Sequence, residues 1–151
     1  MLFRMIALAA LALSAQAADI SLTGGDWSET IDAGDLIAGA GSDIRSPIES
    51  GSYQATLDIS NTGGALWTVG VQRSGSSLPS GVTLAVRRTS DGSGGGSITG
   101  GQSYLTVGSL EQAIFYGSGD RSGIRLQLRL DGVSVGNGPG AYDTTLIYRI
   151  Y

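Results

Sequence analysis

Ile124-Arg125-Leu126-Gln127-Leu128-Arg129-Leu130 alternates apolar and polar side chains without a break. Successive side chains of an extended strand point to opposite faces, so this stretch offers one oily face and one wet one. A helix would scatter the same residues around its circumference. Working outward, the same period recurs. Tyr53, Ala55, Leu57 and Ile59 alternate with Gln54, Thr56 and Asp58. Trp67, Val69 and Val71 alternate with Thr68 and Gly70, and Val82, Leu84 and Val86 with Thr83 and Ala85. Each run reads as a half-buried antiparallel strand. Trp27–Ile31, Glu111–Tyr116 and Ala141–Tyr151 are expected as further strands, with shorter pieces at Ile20–Leu22 and Tyr104–Val107.

The connectors agree with this reading. Asn61-Thr62-Gly63-Gly64, Gly117-Ser118-Gly119-Asp120 and Gly136-Asn137-Gly138-Pro139-Gly140 are turn material, and Asp91-Gly92-Ser93-Gly94-Gly95-Gly96-Ser97 reads as a loop. One short helical turn fits within Gly34–Gly41. The expected fold is therefore all-β, an Ig-like antiparallel β-sandwich of about seven to nine strands.

Ahead of it, Arg4 precedes an apolar run from Met5 to Leu13, and Ala15-Gln16-Ala17 follows. A charged start, a short apolar core and small residues at an A-x-A site predict a signal peptide over 1–17, cleaved before Ala18. The run is too short to cross a bilayer, which takes about 20 residues. The expectation is one sandwich domain over 18–151 with no membrane span, exported to the periplasm, cell surface or extracellular space.

Composition narrows the chemistry. The 151 residues include 25 Gly, no Cys and no His, and every one of the nine basic residues is Arg. No imidazole base, thiolate nucleophile or Lys Schiff base can be built, and no ordinary zinc site. The formal charge of −4 becomes one unit more negative when Arg4 is removed, which argues against a nucleic-acid partner. Gly136-x-Gly138-x-x-Ala141 matches a dinucleotide fingerprint only formally, because Pro139 interrupts it and a strand follows. Paired carboxylates could run glycoside hydrolysis, but no pair is forced together. The expectation is no enzyme, no cofactor and no metal. Asp26, Glu29, Asp32 and Asp35 would fall on alternating faces of the expected Trp27–Ile31 strand. They read as a solvated run, with calcium conceivable only if loop carbonyls joined them. Arg87-Arg88 and Arg121, Arg125 and Arg129 read as a solvent face whose guanidinium groups pair with carboxylates across strands. Trp67 is in phase with the core, leaving Trp27, Tyr104 and Tyr116 as the aromatics free to stack on a sugar.

The last strand carries Tyr142, Leu146, Tyr148 and Ile150 in one phase, with Thr144 among them. The other phase contains Asp143 and Arg149, which would face lipid in an outer-membrane barrel, so a barrel is not expected. Gly138-Pro139-Gly140-Ala141-Tyr142-Asp143-Thr144-Thr145-Leu146-Ile147-Tyr148 resembles the closing strand of spore coat U-type and related chaperone–usher pilin domains. The whole chain also resembles small secreted proteins to which no activity attaches. The pilin-like resemblance implies an exported sandwich that assembles into surface fibres by strand donation and engages a periplasmic chaperone. The disulfide of those families has no counterpart here, and the stretch after Ala17 offers only Ile20 and Leu22 as donor side chains. Ile20, Leu22, Tyr142, Leu146, Tyr148 and Ile150 are accordingly the expected subunit-contact residues. The function expected is a non-enzymatic structural or adhesion-type subunit that self-associates. The alternative is a monomeric ligand-binding module, first of all for glycans.

Overall fold

The computed structural model describes residues 18–151. The expected signal peptide lies outside the described residues. Within them the alternating stretch Ile124–Leu130 forms the middle of the longest strand, and the larger sheet is organised around it.

Eleven strands are present: β1 (Asp19–Gly24), β2 (Ile48–Glu49), β3 (Ala55–Ser60), β4 (Leu66–Ser74), β5 (Thr83–Arg88), β6 (Ser93–Gly94), β7 (Ile98–Gly100), β8 (Leu105–Thr106), β9 (Gln112–Ser118), β10 (Arg121–Asp131) and β11 (Thr145–Ile150). Seven of them are six residues or longer. They make two antiparallel sheets, ordered β1-β3-β10-β5-β8 and β11-β4-β9-β7. β10 is paired along both edges, with β3 and then β2 on one side and β6 and then β5 on the other. The chain is the all-β sandwich expected of it.

The apolar faces meet between the sheets. Leu57, Ile59, Ile124, Leu126 and Val86 project from the larger sheet against Val69, Val71 and Phe115 of the smaller one, each 2 % exposed or less. Trp67 meets Phe115 edge to face at 6.3 Å between centroids, and its indole N–H donates to the Gly119 carbonyl at 2.8 Å. Burying such a side chain contributes about 1.5–3 kcal/mol, so this layer holds the fold in the absence of disulfides.

Four expectations need correction. Trp27–Ile31 is not a strand. Gly24 and Gly25 end β1 at φ +72° and +104°, and Gly25 N–H and the Asp26 carbonyl bond to Gln54 instead of continuing the ladder. Trp27 packs against the core, while Ser28–Asp32 are exposed on all sides. The carboxylates therefore do not alternate across a sheet. Tyr53 does not face inward with Ala55. It precedes β3 and is 66 % exposed.

The last strand begins at Thr145, not Ala141, because Asp143 is held by Ser77, whose N–H donates to its carbonyl at 2.9 Å. Tyr142 thus lies outside β11, its hydroxyl donating to the Asn137 and Gly138 carbonyls at 2.9 and 3.2 Å. Finally, the glycine run Gly92–Gly96 is not a free loop. It supplies β6 and lies flat on the β9–β10 corner, where a Cβ on Gly92, Gly94 or Gly96 would run into the Ser122, Asp120 or Ser118 carbonyl. The short helical turn falls at Ala33–Asp35, overlapping only the start of the expected Gly34–Gly41 window.

Arg88 fastens this run. It shares the inward face with Leu126, yet its guanidinium reaches past Phe115 to the Asp91 carboxylate and the Gly100 carbonyl. Burial, and then the charge of Arg121, holds Arg88 below its ordinary value. Arg121 in turn donates to the Asp91 and Gly96 carbonyls at 2.9 and 3.0 Å.

Candidate interaction surfaces

Four surfaces remain once the core is accounted for: a flank of open strand edges, an arginine-bearing sheet face, an aromatic patch and an acidic segment. The edges come first. β1 closes one end of the larger sheet and β11 one end of the smaller, and the two strands touch, so both lie on one flank. Each is six residues long and paired on one side only, β1 with β3 over Asp19–Gly24 and β11 with β4 over Thr145–Ile150. The opposite ends of the sheets are β8 and β7, of two and three residues. Short edge strands discourage pairing with another chain, whereas a long open edge offers unpaired N–H and C=O groups.

The expected contact residues divide on this flank. Leu146, Tyr148 and Ile150 point inward and pack against the core, as does Ile20. Burial pushes the Tyr148 hydroxyl well above its ordinary value. Leu22 is 46 % exposed and Tyr142 is exposed beyond the strand. The side chains are thus mostly spent within the fold, and what the flank presents is backbone.

The outer face of the larger sheet carries Arg125, Gln127 and Arg129 from β10 and Arg87 from β5. The expected carboxylate partners across strands are not what holds them. Arg87 donates through Nε and Nη2 to the Gln127 amide oxygen at 3.0 and 2.8 Å. Arg129 pairs with Asp131 on its own strand at 3.0 Å. Both guanidinium groups lie over the Tyr104 ring, at 4.6 and 4.1 Å from its centre, and Arg125 lies 4.7 Å over Tyr53. Ala85, directly opposite Arg129 and two residues before Arg87 on the same face, is fully covered. Gln127 is held from below by donating to the Ser50 carbonyl at 2.8 Å. Burial first, then the Glu49 carboxyl, pushes the Tyr104 phenol upward against the two cations. Stacking on a ring fixes a guanidinium without consuming its in-plane N–H donors. One signal for this face is legible in the sequence, the alternation of Arg along β10. Tyr53 and Tyr104 were expected in strands but come from loops, and no periodicity places them on this face.

On the smaller sheet the aromatic patch runs across strands. Thr68 sits opposite Tyr116 on one side and exchanges backbone hydrogen bonds with Tyr151 on the other. Tyr116 is 56 %, Tyr151 64 % and Leu66 85 % exposed, bordering a shallow groove of about 220 Å³ floored by Trp67. Of the three aromatics expected to be free, only Tyr116 is.

Opposite in character is the segment between β1 and β2. Asp32 and Asp35 cap a single turn through each other's backbone N–H groups, and Leu36 bridges Ile44, so a small protrusion forms. Asp43 accepts from the Val135 N–H at 2.9 Å, and that bond, then the Ile44 N–H, holds its carboxyl below the ordinary value. Ile31 and Ile37 are exposed on the same segment. Among the described residues no cluster of three acidic groups converges as a metal site. No helix among them is long and apolar enough to cross a membrane.

No protein-family model matches the chain, and neither a curated protein nor a solved structure matches it.

Proposed function

We propose that the protein is an exported, non-enzymatic structural or adhesion-type subunit that self-associates through the β1–β11 flank into a surface or extracellular, pilus-like assembly. The observation that carries this reading is the asymmetry of the edges. Two open six-residue strands share one flank, and strands of two and three residues close the other. Adding a neighbour's strand to such an edge supplies main-chain hydrogen bonds, while the pleat sets the register. A periplasmic chaperone would occupy the same flank before assembly. The absence of His, Cys and Lys from the sequence supports a binding role over a catalytic one.

Size-exclusion chromatography and electron microscopy of purified Ala18–Tyr151 test the proposal. Oligomers or fibres are expected. Leu22→Lys places a charge on the edge and should abolish them; deletion of Asp19–Thr23 should do the same. A strict monomer at every concentration, or fibres unchanged in both variants, would overturn the reading.

The Tyr116–Thr68–Tyr151 row favours a second reading, a carbohydrate-binding module. The two rings stand two inter-strand steps apart, about 9.5 Å, a spacing suited to stacking on separate sugars of an extended chain. A rise in melting temperature with a neutral polysaccharide, lost in Tyr116→Ala, would select it.

A further inference from the structure

We infer that the arginine face of the larger sheet is the docking surface for the acidic protrusion of a second copy of this chain. The inference rests on the assembly reading above and names a contact that the strand edges do not supply.

Charge is segregated along the sequence. From Asp19 to Asp58 there are eight acidic residues and one arginine, Arg45. β5 and β10 carry Arg87, Arg88, Arg121, Arg125 and Arg129 against a single acid, Asp131. Folding neutralises the arginine side only in part, Arg88 by Asp91 and Arg129 by Asp131, with Glu49 opposite Arg129 in the register, and it gives the acidic side no ion pair among the described residues. The three ion pairs among the described residues engage Arg88, Arg129 and Arg149, and no carboxylate of the protrusion takes part. Arg125 is exposed and its side chain makes no hydrogen bond among the described residues, while its guanidinium is already set over Tyr53. Arg87 keeps Nη1 free, and Arg129 keeps both terminal nitrogens. A stacked guanidinium has less freedom to lose when its N–H fork meets a carboxylate, which is the pairing Arg makes best.

The protrusion is the matching half. Asp26 and Glu29 are exposed, and their carboxylates accept no hydrogen bond among the described residues. Asp32 and Asp35 are fixed by their mutual cap, so the backbone that presents them is ordered. Ile31, 38 % exposed, and Ile37, 63 % exposed, stand beside the acids as Tyr53, 66 % exposed, stands beside Arg125. The complement is thus both ionic and apolar. A patch on one surface that meets a different patch on the next copy is heterologous, and an arrangement that does not close grows into a filament. Buried strand edges and this contact can then operate in the same assembly.

Sedimentation velocity on Ala18–Tyr151 at low ionic strength tests it. Wild type should associate, and salt should weaken the association. Arg125→Glu should lower the association constant by about tenfold or more, and so should Asp26→Arg with Glu29→Arg. Mixing the two reversed proteins restores opposite charge at every contact and should restore association. Thermal melting of each variant against wild type shows that the fold is kept. If neither reversal changes association while Leu22→Lys abolishes it, the inference falls and the edge reading stands. Reversals that disrupt without rescue on mixing also overturn it. Binding of alginate, a polyuronate, lost in Arg125→Glu in a chain that never self-associates, would give the face to an anionic polysaccharide and overturn both.

Discussion

At the scale of single residues, backbone approach matters as much as side-chain packing. Gly94 sits at φ +142°, and a Cβ there would collide with the Asp120 carbonyl. Its neighbour Gly95 has an ordinary φ and open space around it. Gly94→Ala should therefore cost about 2 kcal/mol or more, while Gly95→Ala should stay within about 0.5 kcal/mol, as read by urea denaturation. Equal effects would mean the run does not lie against the corner. The corner is also tied by carboxylates. Asp120 accepts from the Thr62 hydroxyl and N–H at 2.6 and 2.9 Å, and Asp58 accepts from the Gly123 N–H and the Ser122 hydroxyl at 2.7 and 2.8 Å. These bonds hold both carboxyls below the ordinary 3.8, the hydroxyl of Thr62 leading for Asp120 and the Gly123 N–H for Asp58. A depressed folded-state value means stability that is complete above 3.8 and lost as pH falls through the lower value. Asp120→Asn should flatten the acid limb of a stability–pH curve below pH 4, and an unchanged limb would refute the assignment.

At the scale of elements, position in the sheet orders local stability. β10 is covered on both edges over its eleven residues, whereas β1 and β11 are each paired once. Amide exchange should be slowest in Ile124–Leu128 and fastest among the paired residues of β1, with β11 slowed on its inward side by Tyr148 and Ile150. Exchange from β10 as fast as from β1 would contradict this order. The same contrast explains what could be read from the sequence. Strands with one buried face, β3, β4, β5 and β10, announce themselves by alternation, because burial selects every second side chain. Trp27–Ile31 carries strand-like residue types but has no partner strand, and pairing is a tertiary fact. β6 has no apolar residue and β7 only Ile98, too few for an alternation to show, and both lie beside glycines that approach the neighbouring backbone. The edges β1 and β11 were legible as strands, and their open sides follow only from the sheet order.

At the scale of the whole molecule, the composition offers no His, Cys or Lys, and the proposed function rests on faces and edges. The absence of His, Cys and Lys could be read at once, and so could the run of arginines on β10. The segregation of charge was written in the sequence, but that only Arg88 and Arg129 of the basic strands find ion-pair partners needed the fold. One last property follows from where β1 starts and β11 stops. Ala18 and Tyr151 border one groove, leading into β1 and out of β11 at the same end of the sandwich. A pull applied between these two residues loads both edge strands from that end, so their backbone bonds break one after another instead of together. Each bond then bears the load alone, and a net hydrogen bond contributes only about 0.5–1.5 kcal/mol. The domain is mechanically weak along this line, so in the proposed assembly tension is better borne by lateral contacts than along the line from Ala18 to Tyr151.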